Sequence, residues 1–184
     1  MVRIGNFLIP TVSHHNSREN NEVYGTVLNG QANTAWPGPH LQNEIMFRLP
    51  RPLNANDEIE ISGRMIPNPE RLFLNLMTGT SVPDYQNIAC QVEASFSVQN
   101  IFLRCIENGN KYEEVLDQYP ADLFPDSEFK FIIKVRVNGS QILDIDIGES
   151  YAGSLELKHS LRDITFLSLS NDITKVDELK FRFA

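Results

Sequence analysis

Residues 128–149 read EFKFIIKVRVNGSQILDIDIGE, and the alternation in this stretch decides the fold. Phe129, Phe131, Ile133, Val135 and Val137 recur at every second position with Lys130, Lys134 and Arg136 between them, the pattern of a strand with one buried face. After Asn138-Gly139-Ser140 the alternation resumes, with Leu143, Ile145 and Ile147 pointing one way and Asp144 and Asp146 the other. Side chains alternate across a strand, so both apolar rows share a face only when odd-numbered residues pair with odd-numbered ones. A two-residue Asn-Gly loop would set Lys134 across from Leu143, and the spacing therefore predicts a hairpin loop of three or five residues. The five-residue form would place Arg136 opposite Asp144 and Lys134 opposite Asp146.

Shorter segments of the same kind flank the hairpin. Ile45, Phe47 and Leu49 alternate with Met46 and Arg48; Ile59 and Ile61 alternate with Glu58, Glu60 and Ser62; Leu72, Leu74 and Leu76 alternate with Phe73, Asn75 and Met77. Further strands are expected at 87–94, 100–106, 111–115, 164–170 and 179–183, with turn-rich pieces such as PRPLNAND and IPNPE between them. The one helical piece expected is a single turn near 121–124. About ten short strands at this spacing imply an all-β antiparallel sandwich rather than a parallel α/β sheet.

Residues 1–42, rich in Asn, Gly, His and Pro, form an N-terminal extension with one or two weak strands, and residues 43–184 form the domain. Trp36, in TAWPGPH, is expected to pack the extension onto the domain. His14 and His15 are neighbours that a strand would send to opposite faces, and with His40 they make no metal site. No apolar run is long enough to span a membrane, and the N-terminus does not read as a signal peptide. Without that signal, the Asn138-Gly139-Ser140 glycosylation pattern reads as a hairpin turn. The 184 residues are 41% hydrophobic and 22% charged, with 24 acidic against 16 basic side chains, a net charge of −8. Scattered cations in an acidic chain speak against nucleic-acid binding. Cys90 and Cys105 are the two cysteines, expected to be reduced thiols.

The order of the segments resembles the galectin family. DEIEISG (57–63) followed by RLFLNLMTG (71–79), then NIACQVEASFS (87–97), NIFLRCIENGNKYEEV (100–115), FKFIIKV (129–135) with LDIDIGE (143–149), and ITFLSLSNDITKVDEL (164–179) stand where the family has its successive strands. The resemblance implies a galectin-type jelly-roll β-sandwich of two antiparallel sheets, with sugar bound on one concave face and no cofactor. It also implies which residues line that face. Gln91 falls on the family's histidine, Glu93 on its asparagine, Ser95 on its arginine and Cys105 on a second asparagine; the resemblance thus implies that Cys105 faces the groove and Cys90, of opposite parity to Gln91, faces away, so that the two form no disulfide. Lys111 or Tyr112 falls on the stacking tryptophan, Glu113 keeps the glutamate, and Val115 replaces a second arginine.

A galactose-reading site needs polar donors and acceptors for the axial hydroxyl and an aromatic face for the apolar side of the ring. Serine does not replace the arginine fork, and a carboxylate at position 93 is expected to make the groove acidic. Gln91, Glu93, Ser95, Cys105, Tyr112 and Glu113 are thus the candidate ligand-binding set of a galectin-like lectin with altered or weakened β-galactoside recognition. The alternative is a galectin-fold protein-interaction module that has lost sugar binding. A glycosidase built on Glu93 and Glu113 is the reading set aside, since carboxylates are common on strand faces. The expected partner is a glycan, a glycoprotein or another protein. The family's export without a signal peptide keeps both a cytoplasmic and an extracellular location open.

Overall fold

The computed structural model describes residues 22–24, 27–28, 43–116, 119 and 122–184, and the side chains of these apart from 22–24, 27–28 and 113–116. The strands run in chain order as β1 (Glu22–Tyr24), β2 (Val27–Leu28), β3 (Ile45–Arg48), β4 (Glu58–Met65), β5 (Arg71–Thr78), β6 (Asp84–Ser95) and β7 (Asn100–Glu107). They continue as β8 (Asn110–Leu116), β9 (Glu128–Asn138), β10 (Ser140–Ile147), β11 (Ser150–Glu156), β12 (Ile164–Asn171) and β13 (Ile173–Arg182). A six-stranded sheet has the order β1-β13-β4-β9-β10-β11, and a seven-stranded sheet the order β2-β3-β12-β5-β6-β7-β8. Every pairing is antiparallel, and the two sheets pack face to face.

The alternation read from the sequence is what holds the sheets together. Ile59, Ile61, Phe131, Ile133, Leu143, Ile145 and Phe181 project from one sheet onto Phe47, Leu72, Leu74, Leu76, Val92, Leu103, Leu167 and Leu169 of the other, all with no exposure. At about 25 cal/mol per Å² of buried apolar area, this shared core is the main stabilising term. In the central hairpin Ile133 pairs with Ile145 and Val137 with Gln141, the register of the three-residue loop, and Gly139 supplies the turn's positive φ of 74°. That register sets Lys134 opposite Asp144 and Arg136 opposite Ile142, not opposite the aspartates of the five-residue form. Both ion pairs form nonetheless along the diagonal, Lys134 Nζ to Asp146 at 2.6 Å and Arg136 to Asp144 at 2.7 and 2.8 Å.

Three expectations change. The helical turn lies at Pro125–Ser127 as a 3-10 helix, not at 121–124, and a second covers Leu161–Asp163. β11 was not foreseen, because SYAGSLE carries little apolar alternation. β13 begins at Ile173 rather than 179, reaching Met65 of β4 through two register shifts. Of the extension, β1 pairs with β13 and β2 with β3, so it supplies an outer strand to each sheet. Trp36, His14, His15 and His40 lie outside the described residues. Among the described residues no helix is long and apolar enough to cross a membrane, and no three His, Cys, Asp or Glu side chains cluster as a metal site would need.

Candidate functional site

The outer face of the seven-stranded sheet, over β5 to β8, holds a groove of about 510 Å³. Its floor follows from strand parity. Cys90, Val92 and Ala94 of β6 enter the core, so Gln91, Glu93 and Ser95 take the opposite face. Leu103 pairs with Val92 and Ile101 with Ala94, which turns Phe102, Arg104 and Ile106 of β7 into the groove.

Two rows cross the strands at right angles. In one, Phe73 of β5 stands opposite Glu93, which stands opposite Phe102; in the next, Asn75 stands opposite Gln91, and Gln91 opposite Arg104. The second row is a chain of hydrogen bonds: Asn75 Nδ2 donates to Ser168 Oγ at 3.1 Å, Gln91 Nε2 to Asn75 Oδ1 at 2.8 Å, and Arg104 Nη1 to Gln91 Oε1 at 3.4 Å. Arg104 also donates to Glu93 and lies over the Phe102 ring with its Cζ 4.7 Å from the centroid. Arg71 approaches the other Glu93 oxygen at 3.8 Å. Glu93, 6% exposed, is therefore held between two guanidinium groups. Beyond these rows the floor turns apolar, where Ile88 and Ile106 join Met77 and Phe166. Tyr85 lines that end and donates to Glu44 at 2.5 Å; burial, then this bond, pushes its phenol well above the usual range.

The predicted site residues divide. Gln91, Glu93 and Ser95 come together on one strand face as expected. Cys105 does not join them: it is 1% exposed and sits in the core cluster, while Arg104 takes the groove position. Tyr112 pairs with Cys105 across the β7–β8 ladder and so shares its side of the sheet; its ring meets Lys158 Nζ at 5.8 Å, and Lys111 lines the groove instead. Glu113 stands opposite Arg104 in the ladder, and its side chain lies outside those described. The groove is also not simply acidic, since Arg71, Arg104 and Lys111 line it beside Glu93.

Sequence reasoning missed Arg104, Asn75 and both phenylalanines. The signal for Arg104 was present: in NIFLRCI, Ile101, Leu103 and Cys105 form the apolar row, which leaves 102 and 104 facing outward. Taking Cys105 from the family pattern overrode that parity. The same error undoes the argument about the thiols. Cys90 and Cys105 are both free, and both lie on the core side.

The chain resembles known proteins at the level of family and fold. The model of the galactoside-binding lectin family matches residues 44–181. No curated protein sequence matches. Among solved structures, the Caenorhabditis elegans galectin LEC-6 superposes with a TM-score of 0.59 at 10% identity, covering 89% of this chain and 96% of that one. A substituted human galectin-16 gives 0.60 at 17% identity over 74% and 94%, and sheep galectin-11, solved with glycerol, gives 0.54 at 17% over 78% and 98%. The jelly-roll architecture is common to all of them, and with the family match across both sheets the chain belongs to the galactoside-binding lectin family.

Proposed function

We propose that this chain is a glycan-binding lectin whose groove has exchanged β-galactoside recognition for a different polar ligand. The observation that carries the reading is the row Asn75-Gln91-Arg104 beside Glu93, with the partly exposed rings of Phe73 and Phe102 on either side of that carboxylate. A sugar ring needs one apolar surface to lie on and directed donors and acceptors at its rim. Phe73 or Phe102 supplies the surface that Tyr112 was expected to supply. Arg104, Gln91, Glu93 and Ser95 supply the rim.

Galactose selectivity asks for more than this set provides. Ser95 and Val115 cannot replace two arginines, and each hydrogen bond to a charged donor contributes about 1.5–3 kcal/mol. The domain acts by binding, without chemistry on its ligand, in the cytoplasm or after export from the cell. A second reading, a protein-interaction module, is favoured by one specific feature: Asn75 already bonds Ser168 and Gln91, and Gln91 and Glu93 already accept from Arg104. A glycan array probed with native and heat-denatured protein separates the two. Binding to a defined glycan by native protein alone supports the lectin, and a blank array supports the module.

A further inference from the structure

Away from the groove, three elements converge on Cys105. Its Sγ lies 3.6 Å from Nδ1 of His159, in the turn that follows β11, and Nε2 of the same ring lies 3.3 Å from Oδ1 of Asn87 on β6. Hydrogen bonding fixes how this ring is protonated. Asn87 Nδ2 donates to Asp84 Oδ2 at 2.9 Å, and Asn87 Oδ1 accepts from the backbone N–H of Asn108 at 3.0 Å, so Oδ1 is the atom facing the imidazole. An amide oxygen only accepts; Nε2 must carry the hydrogen, and in the neutral ring Nδ1 presents its lone pair to the thiol.

That is the arrangement of a thiol with a positioned base. We propose that Cys105 is a covalent modification site for small, soft carbon electrophiles, with His159 as its base and Asn87 as the residue that sets the base's tautomer. In the step, the sulfur forms a bond to the electrophilic carbon, the leaving group departs with its electron pair, and the thiol proton passes to His159 Nδ1. The surroundings pull both ways. Burial and Glu107 hold the thiol in its neutral form, whereas the backbone N–H of Lys158, which bonds to the sulfur, and the Lys158 ammonium favour the thiolate. A resting thiol that needs a base fits this balance. Cys105 itself is 1% exposed, while His159 and Asn87 line an open hollow of about 540 Å³, so the base has solvent on its far side.

Cys90 is the internal control. It is wholly buried among core side chains, and burial followed by the neighbouring Cys105 pushes its thiol up to about 12. Native full-length protein is treated with iodoacetamide, digested after timed quenching, and the two cysteine peptides are quantified by mass spectrometry. The expected result is carbamidomethylation of Cys105 about a hundredfold faster than of Cys90, the factor a positioned base supplies. In the guanidinium-denatured chain, where no base is positioned, the two cysteines should be labelled at about equal rates. In His159→Gln the Cys105 rate should fall by about the same factor, with Cys90 still unlabelled. Labelling of Cys90 would reveal an unfolded variant, in which case the ratio of the two rates in the native protein, set against that in the denatured chain, decides. Equal rates at the two cysteines of the native protein, or an unchanged Cys105 rate in a folded His159→Gln, would overturn the assignment.

Discussion

The guanidinium of Arg104 reaches past Gln91, its partner across the β6–β7 ladder, and donates to the carboxylate of Glu93 one row along. Both side chains are largely withdrawn from solvent, 13% and 8% exposed, so the pair has given up hydration that its mutual attraction must offset. Arg104→Ala leaves Glu93 with Arg71 at 3.8 Å. The expected cost is about 3 kcal/mol, measured as the shift in urea unfolding free energy. A loss under about 0.5 kcal/mol would place Arg104 among ordinary surface residues.

Two glycines separate steric from conformational demand. A Cβ on Gly63 would stand 2.2 Å from the Lys175 carbonyl oxygen and 2.7 Å from Phe129 Cζ, whereas one on Gly139 meets nothing but requires a positive φ. Gly63→Ala should cost about 3 kcal/mol through displaced backbone, and Gly139→Ala about 1 kcal/mol through strain in the turn alone. Thermal unfolding of the two variants should rank them in that order.

Asp144 gives the hairpin an acid sensitivity with a definite sign. Hydrogen bonds from Arg136 and then Ser154 hold its carboxyl at about 2, below the ordinary 3.8. A carboxyl depressed by folding contributes stability above its unfolded value, lost as the pH falls through its folded one. Between about pH 5 and about pH 2, the urea midpoint of the native protein should therefore drop more than that of Asp144→Asn. Parallel curves would mean that the pair with Arg136 contributes nothing.

Residues 22–24 and 27–28 supply outer strands to β13 and β3, so their removal bares two sheet edges. A chain beginning at Gln42 is expected to keep one cooperative unfolding transition, to lose about 2 to 4 kcal/mol with those ladders, and to self-associate at lower concentration than the full chain. Sedimentation and urea unfolding test both halves. Loss of the cooperative transition would move the domain boundary into the extension.

Much of this was legible in the sequence, and the failures have local causes. Parity alone limited Ile133 to a partner in the odd-numbered row, Ile145 or Ile147, because a one-residue slip would have buried Lys134; the structure takes Ile145. It also put Gln91, Glu93 and Ser95 on one face. What it could not supply was the phase between strands. β6 carries an irregularity between Ile88 and Gln91, and a one-residue slip there exchanges the faces of Arg104 and Cys105 when β7 is placed by family pattern instead of by its own apolar row. Tyr112 went astray with Cys105, its ladder partner. β11 stayed hidden because a strand of small and polar residues owes its place to β10 rather than to any pattern of its own.

The central claim is that this groove, though built on a galactoside-binding fold, no longer reads β-galactosides, and isothermal titration of the native protein with lactose tests it most directly. Without either arginine or the indole, affinity should fall by several kcal/mol at about 1.4 kcal/mol per factor of ten. The account predicts no saturable heat up to about 10 mM lactose. A dissociation constant below about 1 mM, lost in Arg104→Ala, would contradict it.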